Sequence, residues 1–369
     1  MLDFTSALYL GLRHPSSSLR PWSRLTTGKP AILAPQRGAG LARELAALQG
    51  LECAVLAPST LHLFWDLFGV LAREPVRIYM DAATYAIGRW GVERAANRGV
   101  PVRTFAHHDA IALERAIAQD RYQDHHQDRH SGRRPIVVAD GYCPACGQPL
   151  PIADYLQCLA PHQGRLVIDD TQAIGVLGAG ANLATPYGRG GGGSLPWQRI
   201  ASRDVIVGSS LAKGFGVPLA VLAGDKAVVR RFEDFGETRV HSSPPSSALL
   251  RAAEHALVVN RQHGDRRRRH LAALVRRFRT RLHALGLSSD GGTFPVVSVR
   301  PVGITAETLH LRLLALGIRT VVVRCCRGLG RQVMFLITAL HHASDIDRAA
   351  DAIARAFTSP VTAKAARAS

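Results

Sequence analysis

The chain is short of lysine. Of its 46 basic residues only four are lysine (Lys29, Lys213, Lys226 and Lys364), and 42 are arginine. It is short of acid as well, with 28 Asp and Glu, which leaves a formal net charge of +18. Aromatic residues make up 6% of the chain and do not interleave with the basic ones. With no nucleic-acid motif present, the charge does not read as a nucleic-acid surface. No apolar run reaches the ~18 residues that a membrane span needs. The first twenty residues carry Asp3, Arg13, His14 and Arg20 and lack the apolar core of a signal peptide, so the expected location is the cytoplasm. Six cysteines in that setting read as reduced thiols. Cys143-Pro-Ala-Cys146 offers half of a four-ligand zinc site. No second Cys-x-x-Cys follows, and the adjacent Cys325 and Cys326 suit one ion poorly. The expectation is loop cysteines and no metal.

What is present is a rhythm of strands and helices. Apolar strands at Cys53–Ala57, Arg77–Asp81, Val102–Phe105, Pro135–Ala139, Arg165–Ile168, Asp204–Gly208 and Leu219–Ala223 alternate with helical patterns. That alternation predicts an α/β fold with a large, mostly parallel sheet and helices on both faces. Ligands in such sheets bind at the carboxyl ends of the strands, where Asp140, Asp169 and Ser210 to Lys213 fall. A long helix over about 248–285 then leads to shorter strands and helices, a second and smaller α/β lobe. The sequence thus divides into an arm (1–44), a large ligand-binding domain (45–247), and a connecting helix with a small domain (248–369). Arg266 to Arg269, and Arg276, Arg277, Arg279 and Arg281 beyond them, read as the wet face of that helix, and an anionic carrier or coenzyme is the functional alternative. Gly188–Gly193 reads as a mobile surface loop.

Lys213 lies in Val207–Gly216, a stretch with no other charge. Taken alone it reads as an ordinary lysine at a strand end. Desolvated, however, a lysine can lose its proton where arginine cannot, and a neutral amine attacks carbonyls. Upstream, Leu166-Val-Ile-Asp-Asp-Thr-Gln-Ala-Ile-Gly carries Asp169 to a strand end on an apolar run. A carboxylate there must be paired, either as a helix cap or against a cationic ligand. Ser59, Thr60 and Leu61 form a turn into a helix, readable as a plain N-cap or as an anion site.

Together these segments carry a family resemblance. Strand-Asp169-Asp-x-x-x-x-Gly-x-x-Gly, then Ser210-x-x-Lys-Gly-x-Gly, then Ser242-Ser-Pro-Pro is similar to the α-oxoamine synthases, pyridoxal-phosphate enzymes of fold type I. Weaker matches are Tyr9-Leu-Gly-Leu, Phe105-Ala-His-His-Asp and Thr338-Ala-Leu-His-His. The resemblance implies a homodimer that condenses an amino acid with an acyl thioester on coenzyme A or a carrier protein. By position, Lys213 attaches the cofactor and moves the substrate α-proton, and Asp169 pairs with the pyridine nitrogen. Ser210, Ser59, Thr60 and Leu61 hold the phosphate, and Ser242 and Ser243 reach the phosphate of the neighbouring subunit. Asp140 stands at the adjacent strand end. The chain departs from the pattern in its pocket. Tyr85 stands where the family stacks a His, and Gln172 replaces the second His. Pro144 replaces a loop serine, and Met334 stands where the family has a carboxylate-binding Arg, with Arg324, Arg327 and Arg331 nearby as substitutes. These departures leave open an aminotransferase, decarboxylase or C–C lyase with an atypical amine substrate. A non-enzymatic partner subunit is disfavoured because Lys213 is kept.

Overall fold

The structure, a computed structural model, describes residues 1–18, 25–26, 28–34, 38–126, 132–290, 292–324 and 330–358. His130, Cys325, Cys326, Arg327 and the tail beyond 358 lie outside the described residues. The chain divides into two compact units, a larger one of residues 10–144 and 148–269 and a smaller one of residues 1–9, 145–147 and 270–369. Residues 10–44 and 248–269 therefore group with the larger unit, where the sequence reading set an arm and a connecting helix. The helix Ser247–Val259 packs on the helix Ala39–Gln49 within that unit.

The larger unit is built on seven strands: β1 (Cys53–Ala57), β2 (Val76–Asp81), β3 (Val102–Phe105), β4 (Arg134–Asp140), β5 (Arg165–Asp169), β6 (Val205–Ser210) and β7 (Ala220–Gly224). Their order across the sheet is β1-β7-β6-β5-β4-β2-β3, and only β7 runs antiparallel to its neighbours. The strands are near-continuous runs of Val, Ile, Leu and Ala because both faces are buried. Ile78, Ile136, Val138, Val167 and Ile206 face one core with the helices Thr60–Leu71 and Lys226–Phe235. Tyr79, Val137, Leu166, Ile168 and Val207 face the other with the helices Ala110–His126 and Ile152–Leu159. The helix Ala110–His126 precedes β4, which begins at Arg134. After β4 a short ribbon pairs Tyr142–Cys143 with Gln148–Pro149.

Two further expectations are corrected here. The long helix is interrupted by a π segment, Asn260–Gly264, before resuming at Asp265–Ala284. Past that extra residue per turn, Arg268 is not on the wet face: it is 1% exposed and donates to Asp265 Oδ1 (3.1 Å) and Asn260 Oδ1. Nor is Gly188–Gly193 a loose surface loop. Gly191 O accepts from Gly175 N–H (2.7 Å), and Gly190 N–H donates to Asp265 Oδ1 (3.0 Å). Gly191 has a φ of 77° and packs so tightly on Arg268 that a Cβ would lie 2.4 Å from its guanidinium. Glycine is there for close approach and handedness, not for mobility.

In the smaller unit, β8 (Ser289–Asp290), β9 (Val296–Val299), β10 (Val321–Arg324) and β11 (Arg331–Leu336) form an antiparallel sheet in the order β8-β9-β11-β10. The segment Leu2–Asp3 pairs in parallel with Ile318–Arg319. Phe4 stacks on His341 (4.5 Å between ring centres), and His341 Nε2 lies 3.0 Å from Asp3 O. His341 of the Thr338–His342 motif thus belongs to this unit's packing. Arg277 and Arg281 pair with Asp347 and Asp351 on the helix Ala343–Thr358. Among the described residues no helix is long and apolar enough to cross a membrane.

Candidate active site

The parallel strands deliver their last residues to one edge of the sheet. Asp140 ends β4 and stands in register with Asp169 at the end of β5, which is followed by Ser210 at the end of β6. Across the antiparallel strand, Ala220 is paired with both Ser210 and Ala57, so β1 ends on the same edge. Two residues past Ala57, Ser59 caps the helix Thr60–Leu71, accepting from His62 N–H (3.4 Å). The turn Ser59–Leu61 is therefore an N-cap by its side chain, and the helix N-terminus opens at the edge where Ser210 lies.

Lys213 sits in the turn that reverses the chain from β6 into β7. The turn is closed by Leu211 N–H donating to Leu219 O (2.8 Å) and Phe215 N–H donating to Leu211 O (3.0 Å). Its neighbour Gly214 must be glycine, since a Cβ there would lie 2.2 Å from Ile174 O. That contact presses the Lys213 turn onto the segment that follows Asp169. Thr171 bridges the two: its N–H donates to Asp169 Oδ1 (3.0 Å), and its Oγ1 accepts from Ser210 N–H (2.9 Å). No sequence motif singled out Thr171.

Electrostatics bind the group together. Burial pushes the Lys213 amine below the usual lysine range, while Asp169 and Asp140 pull it back. Burial raises Asp169, opposed by the Thr171 hydrogen bonds and by Lys213. Burial and the neighbouring Asp169 carboxylate raise Asp140 well above the carboxylate range. One amine and two carboxylates thus share a poorly solvated space in which full ionisation is disfavoured. Tyr85, 61% exposed, ends the turn before the helix Ala86–Asn97, and its N–H donates to Asp140 Oδ1 (3.1 Å). Gln172 is half-buried beside Thr171. Behind them Asp170, 2% exposed, accepts from Ser194 N–H (2.9 Å) and Ser194 Oγ.

Other expected residues lie elsewhere. Ser242 donates through Oγ to Thr238 O (2.6 Å) and lines a cavity of about 560 Å³ with His62, Asp66 and Arg239, which contains neither Lys213 nor Asp169. Ser243 is exposed. In the smaller unit Met334 is buried within β11, Arg331 pairs with Glu307 (2.8 Å), and Arg324 stands opposite Arg331.

A doubly covered, mostly parallel sheet with a half-buried lysine and a buried aspartate at its carboxyl edge defines a class of protein. The chain belongs to the aminotransferase class I and II family, whose sequence model matches residues 45–353. Within that class its resemblance to the α-oxoamine synthases holds. It is 28% identical over 324 residues to the 8-amino-7-oxononanoate synthase of Halorhodospira halophila, covering 86% of this chain and 74% of that one. It is 29% identical over 269 residues to the enzyme of the same name from Alcanivorax borkumensis, covering 71% and 64%. Among solved structures, the serine palmitoyltransferase of Sphingomonas wittichii superposes with a TM-score of 0.79 at 15% identity, covering 96% of this chain and 86% of that one. The 8-amino-7-oxononanoate synthase of Francisella tularensis superposes with a TM-score of 0.67 at 17% identity, covering 96% and 97%. The fold is that of the fold type I pyridoxal-phosphate transferases, as the resemblance implied.

Proposed function

We propose that this chain is a cytoplasmic, pyridoxal-phosphate-dependent acyltransferase. It condenses an amino acid with an acyl thioester of coenzyme A or a carrier protein. Carbon dioxide and the free thiol leave, and the product is an α-amino ketone. The observation that carries the reading is Lys213, an amine depressed by burial in the turn after β6 and coupled electrostatically to Asp169 at the strand edge.

The residues fit the cofactor. A protonated ring nitrogen beside Asp169 and a carbonyl opposite Lys213 would relieve the crowding of one amine and two carboxylates. When bound, pyridoxal phosphate supplies that carbonyl and an electron-withdrawing ring. Asp169 would hold the proton on the ring nitrogen. Ser210 and the backbone N–H groups of Thr60 and Leu61 take the phosphate at a helix N-terminus. Tyr85 offers an aromatic face, and Gln172 a donor to the ring oxygen. Lys213 Nζ, whose proton burial loosens, would take the α-proton from the amino acid. Asp140 fixes the Tyr85 turn through its backbone. The protein acts as a homodimer, and exposed Ser243 is better suited than Ser242 to reach the neighbour's phosphate, because the Ser242 hydroxyl is already committed to Thr238.

The test is chemical. Borohydride treatment of the protein with pyridoxal phosphate should fix the cofactor on the peptide bearing Lys213, and Lys213→Ala should abolish the label. Free thiol should then appear from acyl-coenzyme A or acyl-carrier protein only when an amino acid is also present, with an amino ketone found by mass spectrometry. Conversion of the amino acid to its keto acid, or loss of its carboxylate, without any thioester would replace this reading with an aminotransferase or decarboxylase.

A further inference from the structure

Three loops leave the carboxyl edge of the sheet side by side, after β3, β2 and β4, and each carries a residue type that binds metal. His107 follows β3 by two residues, Asp81 ends β2, and Cys143 follows β4 by three. The sheet order β4-β2-β3 brings these loops together although 62 residues separate Asp81 from Cys143 in sequence. His107 Nδ1 lies 2.7 Å from Asp81 Oδ1, and His108 N–H donates to Asp81 Oδ2 (2.9 Å). His108 holds a left-handed φ of 57°, and its ring centre is 3.7 Å from that of His107. One buried carboxylate thus fixes both the ring and the backbone of the 107–108 turn. With Nδ1 donating to Asp81, His107 keeps Nε2 as a ligand atom, and the ligand atoms of His107 and Cys143 lie within 4.8 Å of one another. Cys143 is buried and closes the ribbon opposite Gln148, a register that leaves the turn 144–147 and, in it, Cys146 at Cys-x-x-Cys spacing.

We infer that His107, Cys143 and Cys146 bind one zinc ion, with Asp81 orienting His107. Two thiolates and an imidazole suit zinc, and a carboxylate behind the ligating histidine is the usual outer partner of such a site. The chemistry overlooked in the sequence was the third ligand, which comes not from another Cys-x-x-Cys but from a histidine on a neighbouring strand end. The fourth tetrahedral position falls to water or to His108. The ion ties the loop after Asp140 to the loop after β3, and so braces the strand end that holds Tyr85. The inference is independent of the proposed reaction.

Full-length protein purified without chelators should carry one zinc per chain by elemental analysis. Cobalt(II) in its place should give a thiolate-to-cobalt charge-transfer band. Cys143→Ser with Cys146→Ser should abolish the band, and His107→Ala should weaken binding. Asp81→Asn should keep the band with cobalt affinity lowered about 10- to 100-fold. Circular dichroism of the variants checks that they fold. Where a variant does not, alkylation of the wild-type thiols decides: Cys143 and Cys146 should be protected, and a chelator should expose them. Cobalt binding that is unchanged in the double variant, a band that does not form, thiols that react equally with and without chelator, or protection reversed only by a reductant would each overturn the site.

Discussion

Asp170 stands one residue beyond Asp169 and has a different task. Burial pushes its carboxyl up to about 7 from 3.8, against the pull of the Ser194 hydrogen bonds. Between those two values the folded chain keeps a proton that the unfolded chain has lost. The stability contributed by this group is therefore full below pH ~4 and is lost as the pH rises to ~7, by roughly 4 kcal/mol at most. Asp170→Asn cannot ionise, so its urea midpoint should change less across that window than the wild-type midpoint, which should fall from this group as pH rises. Equal slopes would show that Asp170 titrates normally. At this scale the site was legible where chemistry and chain position coincide. Lys213 stands out as an uncharged-stretch lysine in an arginine chain, and Asp169 as a charge at the end of an apolar strand. Thr171 was not legible, because a threonine that bridges two strand ends looks like any other. Nor does the sequence show that the Ser242 hydroxyl donates to a carbonyl four residues back, Thr238 O.

Among the elements, the strands were the easiest to read, since burial on both faces writes them as runs of branched apolar residues between turn signals. The π segment was hidden, because a one-residue shift in a helix leaves its composition unchanged while moving every later side chain around the axis. Arg268 shows the consequence. Its guanidinium is buried and pushed down to about 10 by that burial, partly offset by Asp265. It supports the two residues that hold the glycine loop, Asp265 through Gly190 N–H and Asn260 through its Nδ2 to Gly190 O (2.8 Å). Arg268→Ala should lower stability by about 3 kcal/mol, from the cavity and the stranded Asn260 acceptor. Amide exchange at Gly190 and Gly191 should quicken along with it. Exchange that stays at the wild-type rate would mean that the loop is held by its backbone bonds to 175–179 alone. The His107 cluster was invisible for another reason: it depends on which strands are neighbours, and β2 lies between β3 and β4 although β3 precedes β4 in sequence.

For the whole molecule, the proposed homodimer depends on a face that the larger unit leaves uncovered. Leu61, Trp65, Tyr85 and Trp90 are each more than 40% exposed and lie on two helices that pack together, Thr60–Leu71 and Ala86–Asn97, or at the turn between strand and helix. Large apolar side chains grouped in this way mark a surface that another protein covers. Two of the four belong to the proposed cofactor pocket, so covering this face with a second copy would close that pocket as well as bury the apolar surface. Light scattering should then give twice the 39.8 kDa chain mass. Trp90, which takes no part in the proposed chemistry, is the residue to change. Trp90→Glu should shift the protein toward the single-chain mass and speed the loss of pyridoxal phosphate on dilution, with the circular dichroism spectrum of the fold kept. A wild-type protein that is monomeric and still retains its cofactor would separate the pocket from the interface and leave Ser243 with no neighbour to serve.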